Sequence, residues 1–239
     1  MIFQRSVTKI KMKKKSINPR SAVGNCLNLY KEFDEQAKEY KSACKKKCCI
    51  CCYDYFYISE AEFYTILHSI LQKGNYEEYL NQLILKSRES VADLKRKLPL
   101  EYKKIYSNDC TKPIQYYINP TGTDNIRLDK PCIFLNSKNK CDIYEVRPLV
   151  CRKFGTVLDS EQEYSFACKY AEYYHNIDYS KTLNYHKSNG ILFVENYFRI
   201  PKPIFYWVLE ILPLIRSTNY EAVTKMCELN YETYVKSHF

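Results

Sequence analysis

Five cysteines stand within nine residues in "CKKKCCICC", residues 44–52. Thiolate, not thiol, is the nucleophile and the metal ligand, and cations beside a thiol favour that form. Lys45, Lys46 and Lys47 lie between the first and second cysteine, where they would also offset the negative charge of a metal held by four thiolates. A second group follows in "PCIFLNSKNKCDIYEVRPLVCRKF", residues 131–154, with Cys132, Cys141 and Cys151, and Cys168 comes after it in "SFACKY". Cys44, Cys48, Cys51 and Cys52 form one half of a set and the later four the other. Eight thiols in two groups without nearby histidine suit a soft metal: zinc, iron or an iron-sulfur cluster, with copper(I) behind them. Disulfides are disfavoured in the reducing compartment expected for this chain, and adjacent cysteines do not readily pair. Cys26, Cys49, Cys110 and Cys227 fit the plainer role of small buried hydrophobes.

The other residues of the second motif have the types needed to aim its cysteines. Asp142 is placed to cap the turn beginning at Ile143. Pro148 suits the first turn of a helix over "PLVCRKF" and would fix the direction of Cys151. Arg147 and Arg152 offer forked donors for the Glu145 carboxylate or for the sulfurs of a charged metal site.

These residues need positioning elements. Apolar side chains at Leu27, Tyr30, Phe33, Ala37 and Tyr40 recur at helical spacing, so the first cluster is expected to be a loop after a helix. "YDYFYI" then reads as short and extended. Ser59 and Glu62 form a capping box opening a helix that closes at Gly74. A second helix starts with Asn75 as cap and runs towards Pro99, which makes a tight antiparallel pair the natural expectation. Residues 100–131 look irregular apart from weak strand character at "IQYYI". The C-terminal part reads as strand-like "ILFVENYF", a helix after Pro203, and another on Tyr220, Val223, Met226 and Tyr234. His68, His175, His186 and His238 are scattered and read as ordinary histidines. The expected fold class is mainly α with an irregular cysteine-rich metal-binding core and at most a few short strands. The expected organisation is a disordered basic tail over 1–24, a metal-chelating domain over 25–175, and a helical extension over 176–239 packed on it.

Composition bounds the partners. The 239 residues carry 24 tyrosines but only 5 glycines, a bias of AT-rich coding that makes aromatic richness weak evidence of function. Of the net charge of +10, residues 1–52 supply +9. The basic stretch admits a nucleic-acid-binding arm, because lysine runs release counterions from phosphates, but a solvated tail is the reading preferred. No apolar run reaches the roughly 20 residues that span a bilayer. The N-terminus has a basic start and no apolar region behind it, so the expectation is a soluble cytoplasmic protein without a membrane partner, an organelle transit peptide being the alternative.

The cluster with its following "YISEAEF", together with the second motif, closely resembles the YkgJ-type cysteine-cluster family of zinc- or iron-chelating domains. The resemblance covers about residues 40–170. It carries to Cys44, Cys48, Cys51, Cys52, Cys132, Cys141, Cys151 and Cys168, with Cys49 as an extra thiol inside the first motif. It implies a metal centre used in redox, metal handling or an unidentified enzymatic modification, with the substrate or protein partner unspecified. Two alternatives stand beside this: a structural metal that folds an interaction domain, and an enzyme like the flagellin lysine-N-methylases, which carry a similar cysteine domain. The spacing Cys44-x-x-x-Cys48-x-x-Cys51 also matches radical S-adenosylmethionine enzymes. The short chain without a glycine-rich methyl-donor site argues against the methylase, and the helices around the cysteines with the same lack of a donor motif argue against the radical enzyme.

Overall fold

A computed structural model describes residues 22–37, 48–73, 76–107, 127–153 and 201–217. The basic stretch 1–21, Cys44, Cys110, Cys168, Cys227, "IQYYI", "ILFVENYF" and the helix expected beyond Tyr220 lie outside them. The described residues form six α-helices and two very short strands, so the fold is mainly helical with irregular cysteine-bearing loops.

Helix α1 (Ala22–Ala37) begins inside the stretch expected to be tail. It buries Val23, Cys26, Tyr30 and Phe33, which fall on one face at spacings of three and four. A 3-10 turn over Ile50–Tyr53 carries Cys51 and Cys52. Of the aromatic run after it, only Tyr57–Ile58 forms a strand, β1. Helix α2 (Glu60–Leu71) opens with the expected capping box: the Ser59 side chain accepts from the Glu62 backbone at 3.2 Å, and the Ser59 backbone donates to the Glu62 carboxylate at 3.1 Å. Helix α3 (Tyr76–Lys97) has Glu77 and Glu78 in its first turn and Lys95, Arg96 and Lys97 in its last, the sign order that the helix dipole favours. Its expected cap, Asn75, lies outside the described residues. Pro99 ends α3 and starts helix α4 (Pro99–Ile105) at N1, where its missing N–H costs nothing. A second 3-10 turn over Tyr144–Val146 leads to helix α5 (Leu149–Lys153). Strand β2 (Lys202–Pro203) pairs antiparallel with β1, Tyr57 opposite Pro203 and Ile58 opposite Lys202, and runs into helix α6 (Ile204–Ser217).

The tight α2–α3 pair is not what forms. Helix α2 packs chiefly on α1, and α3 packs chiefly on α6. Helix α6 offers α3 a broad apolar face, burying Ile204, Phe205, Trp207, Val208, Ile211 and Leu212. Trp207 also donates from Nε1 to the Ile58 carbonyl at 3.0 Å, fastening α6 to β1. One hydrophobic core runs from Val23 through α2 and α3 to Leu212, and it includes Ile133, Phe134 and Ile143 from the second cysteine-bearing loop. No described helix is long and apolar enough to cross a membrane.

Glu62 has a second task that local spacing does not reveal. Fully within the core, its carboxylate accepts the backbone N–H of Leu149, 87 residues away, at 2.8 Å and the Tyr30 hydroxyl at 3.4 Å. Burial pushes the Glu62 carboxyl upward, and these donors pull it back. Glu62→Ala removes the reciprocal half of the capping box and leaves two buried N–H groups, those of Ser59 and Leu149, unpaired, so it is expected to lower unfolding free energy by about 2–4 kcal/mol. Denaturant titration of the two proteins measures this, and a loss below about 0.5 kcal/mol, the size of an ordinary surface change, would show that Glu62 holds nothing.

Candidate metal centre

The loop over residues 127–142 has almost no secondary structure, so its backbone groups must find partners elsewhere. Helix α3 supplies them from one stripe of its surface. Tyr79 donates to the Asp142 carboxylate at 3.1 Å, Lys86 donates to the carbonyls of Ile133 and Leu135 at 3.2 and 3.3 Å, and Asp93 accepts from the backbone of Asp129 and Lys130 at 2.6 and 3.2 Å. Lys97 adds a bond to the Arg127 carbonyl at 3.0 Å. Positions 79, 86, 93 and 97 are separated by seven, seven and four, which keeps them on one face of a helix.

The turn between Cys132 and Cys141 is built by its own asparagines. Asn136 accepts through its side chain from the backbones of Lys138 and Lys140 at 2.9 and 3.1 Å. Asn139 adopts φ 55°, the left-handed region that asparagine tolerates better than most residues. An isolated bridge then pairs Leu135 with Cys141. Asp142 does not cap the turn that follows, because Ile143 stands at the N-cap position and no side chain bonds there. Its carboxylate instead accepts from Asn136 Nδ2 at 2.7 Å and from Tyr79, clamping the turn to α3.

Two backbone bonds bring the halves of the cysteine set together: Cys132 N–H donates to the Cys52 carbonyl, and Leu128 N–H donates to the Tyr53 carbonyl at 3.1 Å. Cys151 arrives on α5, whose start Glu62 holds. Arg152 fixes the rest of that helix. It donates to the carbonyls of Arg147 and Glu145 and to the Asp34 carboxylate, and its guanidinium lies over the Tyr30 ring. It therefore bonds the Glu145 carbonyl rather than the Glu145 carboxylate, and it is an internal clamp rather than a partner of the sulfurs.

The result is a single cavity of about 440 Å³ with Cys48, Cys51, Cys52, Cys132, Cys141 and Cys151 in its wall. Cys49 is partly buried but does not line the cavity, and Cys26 is buried in α1. Cys44 and Cys168 fall outside the described residues. All the described cysteines are free thiols. Among the described residues no three His, Cys, Asp or Glu side chains stand close enough together to hold an ion as they are.

Cys51 is pushed well up by its hydrogen bond with Cys52, then by burial and the neighbouring charges of Cys52 and Asp54. Burial pushes Cys132 up to about 12, with the charges of Cys141 and Cys51 adding to it. Cys141 and Cys151 are raised by burial first and then by the other thiols, while the Arg147 charge draws Cys141 back down. Without a cation these groups hold their protons, because several thiolates in one poorly solvated space repel each other. A bound cation reverses the balance, since thiolate ligands are stabilised by the charge that they surround. The donor set, all sulfur and facing one space, fits zinc or iron.

Fold and site together define a mainly helical protein with two cysteine motifs facing one cavity. A family model described as "Putative zinc- or iron-chelating domain", with the signature CxxCxxCC, matches residues 43–171. The chain belongs to that family. Neither the curated proteins nor the solved structures contain a match to it.

Cys51→Ser and Cys141→Ser are each expected to lower bound metal per chain, whereas Cys49→Ser, outside the cavity wall, should leave it near the unsubstituted level. Elemental analysis of the purified variants measures this. Full metal in both cavity variants would remove these thiols from the ligand set.

Proposed function

We propose that this chain is a metalloprotein whose cysteine-held centre is the working part of the molecule, serving redox chemistry or metal handling, and that the metal is iron. The observation that carries the reading is the convergence of six cysteines on one ligand-sized cavity. The cavity reaches solvent at the exposed residues Asn139, Lys140 and Tyr144. A structural zinc is closed off by four protein ligands, and a space of this size beside the thiols has no use in such a site. The spacing of the later cysteines supports iron: 8, 9 and 16 residues separate Cys132, Cys141, Cys151 and Cys168, unlike the paired Cys-x-x-Cys knuckles of zinc ribbons.

Thiolate-held iron supplies one-electron chemistry whose potential depends on net charge, hydrogen bonds to sulfur and exposure to water. The chain's own residues bear on the charge and the exposure. Arg147 places positive charge near Cys141, and Lys86 does the same for Cys132. Phe134, Ile143 and Phe205, buried in the cavity wall, limit water there. Cysteines kept reduced for metal binding fit a reducing compartment such as the cytoplasm.

Protein purified without oxygen after iron-replete expression is expected to be brown, with visible absorption that bleaches on adding dithionite. A colourless protein holding stoichiometric zinc and unfolding when the zinc is chelated would reject iron and favour a structural metal in an interaction domain.

A further inference from the structure

The cavity is larger than a thiolate-bound metal requires. Zinc–sulfur bonds are about 2.3 Å, so a metal engages only the cysteine wall, while about 440 Å³ lies within the range of pockets that hold whole small molecules, roughly 300–1,000 Å³. The remaining wall comes from separate parts of the chain: Tyr55 and Phe56 after the first motif, Leu128 before the second, and Ile204 and Phe205 at the start of α6.

Arg147 is the one strongly polar group there whose bonding is incomplete. Its guanidinium carbon lies 4.1 Å from the centre of the Tyr144 ring, and its Nε is buried with no hydrogen-bond acceptor among the described residues. Stacking fixes the plane of the fork and so prepares it for a planar anion. Two other charges in the wall are paired. Lys130 pairs with Glu89 at 3.0 Å, and Asp54, the acid that lines the cavity, pairs with Arg127 at 3.3 Å. Lys140 stands exposed at the rim.

We propose that the cavity binds an organic carboxylate with an apolar body, its carboxylate on Arg147 and its body against Tyr55, Phe56 and Phe205, beside the thiols. The inference deepens the metal-centre reading by naming the class of molecule presented to that centre, and it rests on that reading for the chemistry but not for the binding. A single stacked guanidinium in a largely apolar wall suits a planar monoanion. A phosphate ester, with more charge and three acceptor oxygens, calls for more donors than this wall offers.

The test is calorimetric titration of the full chain, with metal content measured on the same samples. The probes are phenylacetate, its uncharged counterpart 2-phenylethanol, and phenyl phosphate. Phenylacetate should bind saturably at one site per chain, at least about tenfold more tightly than either of the others. Compared in samples matched for bound metal, Arg147→Gln should weaken it by about tenfold or more, and Arg147→Lys should weaken it less. If Arg147→Gln fails to fold, Tyr144→Ala serves instead: Tyr144 is half-exposed, and losing its ring should weaken phenylacetate about fivefold through the freed guanidinium. The proposal is overturned if phenylacetate does not saturate, if 2-phenylethanol binds as well, or if phenyl phosphate binds more tightly. It is also overturned if Arg147→Gln loses metal yet keeps its phenylacetate affinity, because Arg147 would then serve the thiolates alone. Saturable phenylacetate binding in a wild-type chain that takes up no metal would reject the metal centre and leave the subsite standing.

Discussion

An irregular chain segment cannot be placed in a protein unless its backbone N–H and C=O groups are paired. Residues 127–142 form such a segment, and the positions of Cys132 and Cys141 depend on how the pairing is achieved. Backbone bonds within the loop and to the first motif do part of it, and α3 adds side chains in order along one face, Lys86, Asp93 and Lys97 to the loop backbone and Tyr79 to the Asp142 carboxylate. Arg96 and Lys97 add an exposed ion pair network with Asp129, which contributes little beyond orientation. Because α3 also packs on α6, the helix that carries the loop is itself anchored to the main core. The second cysteine motif is thus supported by a helix that contains no cysteine, and backbone bonds from Leu128 and Cys132 join it to the first.

A different device places Cys151. Helix α5 has only five residues, too few to be stable alone. It persists because Glu62 takes its first N–H and Arg152 bonds two carbonyls just before it. Both side chains are buried and both are satisfied, so their desolvation is offset by charge-assisted bonds. For Cys132 and Cys141 the compensation is partial: burial raises both thiols, while backbone hydrogen bonds and the charges of Lys86 and Arg147 draw them back.

The cavity joins a shared part of the molecule to a particular one. Its cysteines lie within residues 43–171, the span that matches the family. Pro203, Ile204 and Phe205 lie beyond that span and still form part of the wall. They are held there because β2 pairs with β1 immediately after the first motif and because Trp207 bonds the Ile58 carbonyl. The cavity therefore has a cysteine face inside the span that matches the family and an apolar face, from the start of α6, outside it.

Several features were legible from local sequence alone. The cysteine spacing, the Ser59–Glu62 capping box, the break at Pro99 and the helix after Pro203 each depend on residues within a few positions of one another, where spacing and backbone chemistry are sufficient. The sequence also indicated that Cys26 is an ordinary buried residue, and it lies in the α1 face that the 3.6-residue period predicts. Tertiary structure decided the rest. Asp142 looked like a cap but clamps a turn to Tyr79, 63 residues away. Arg152 looked like a partner for sulfur but serves carbonyls and Asp34. Cys49, an extra thiol by sequence, stands just before the 3-10 turn and outside the cavity wall that Cys48, Cys51 and Cys52 line. Such bonds run from side chains to distant irregular backbone. They leave no periodic trace, and the choice among equally capable partners is made only when packing brings one of them within reach.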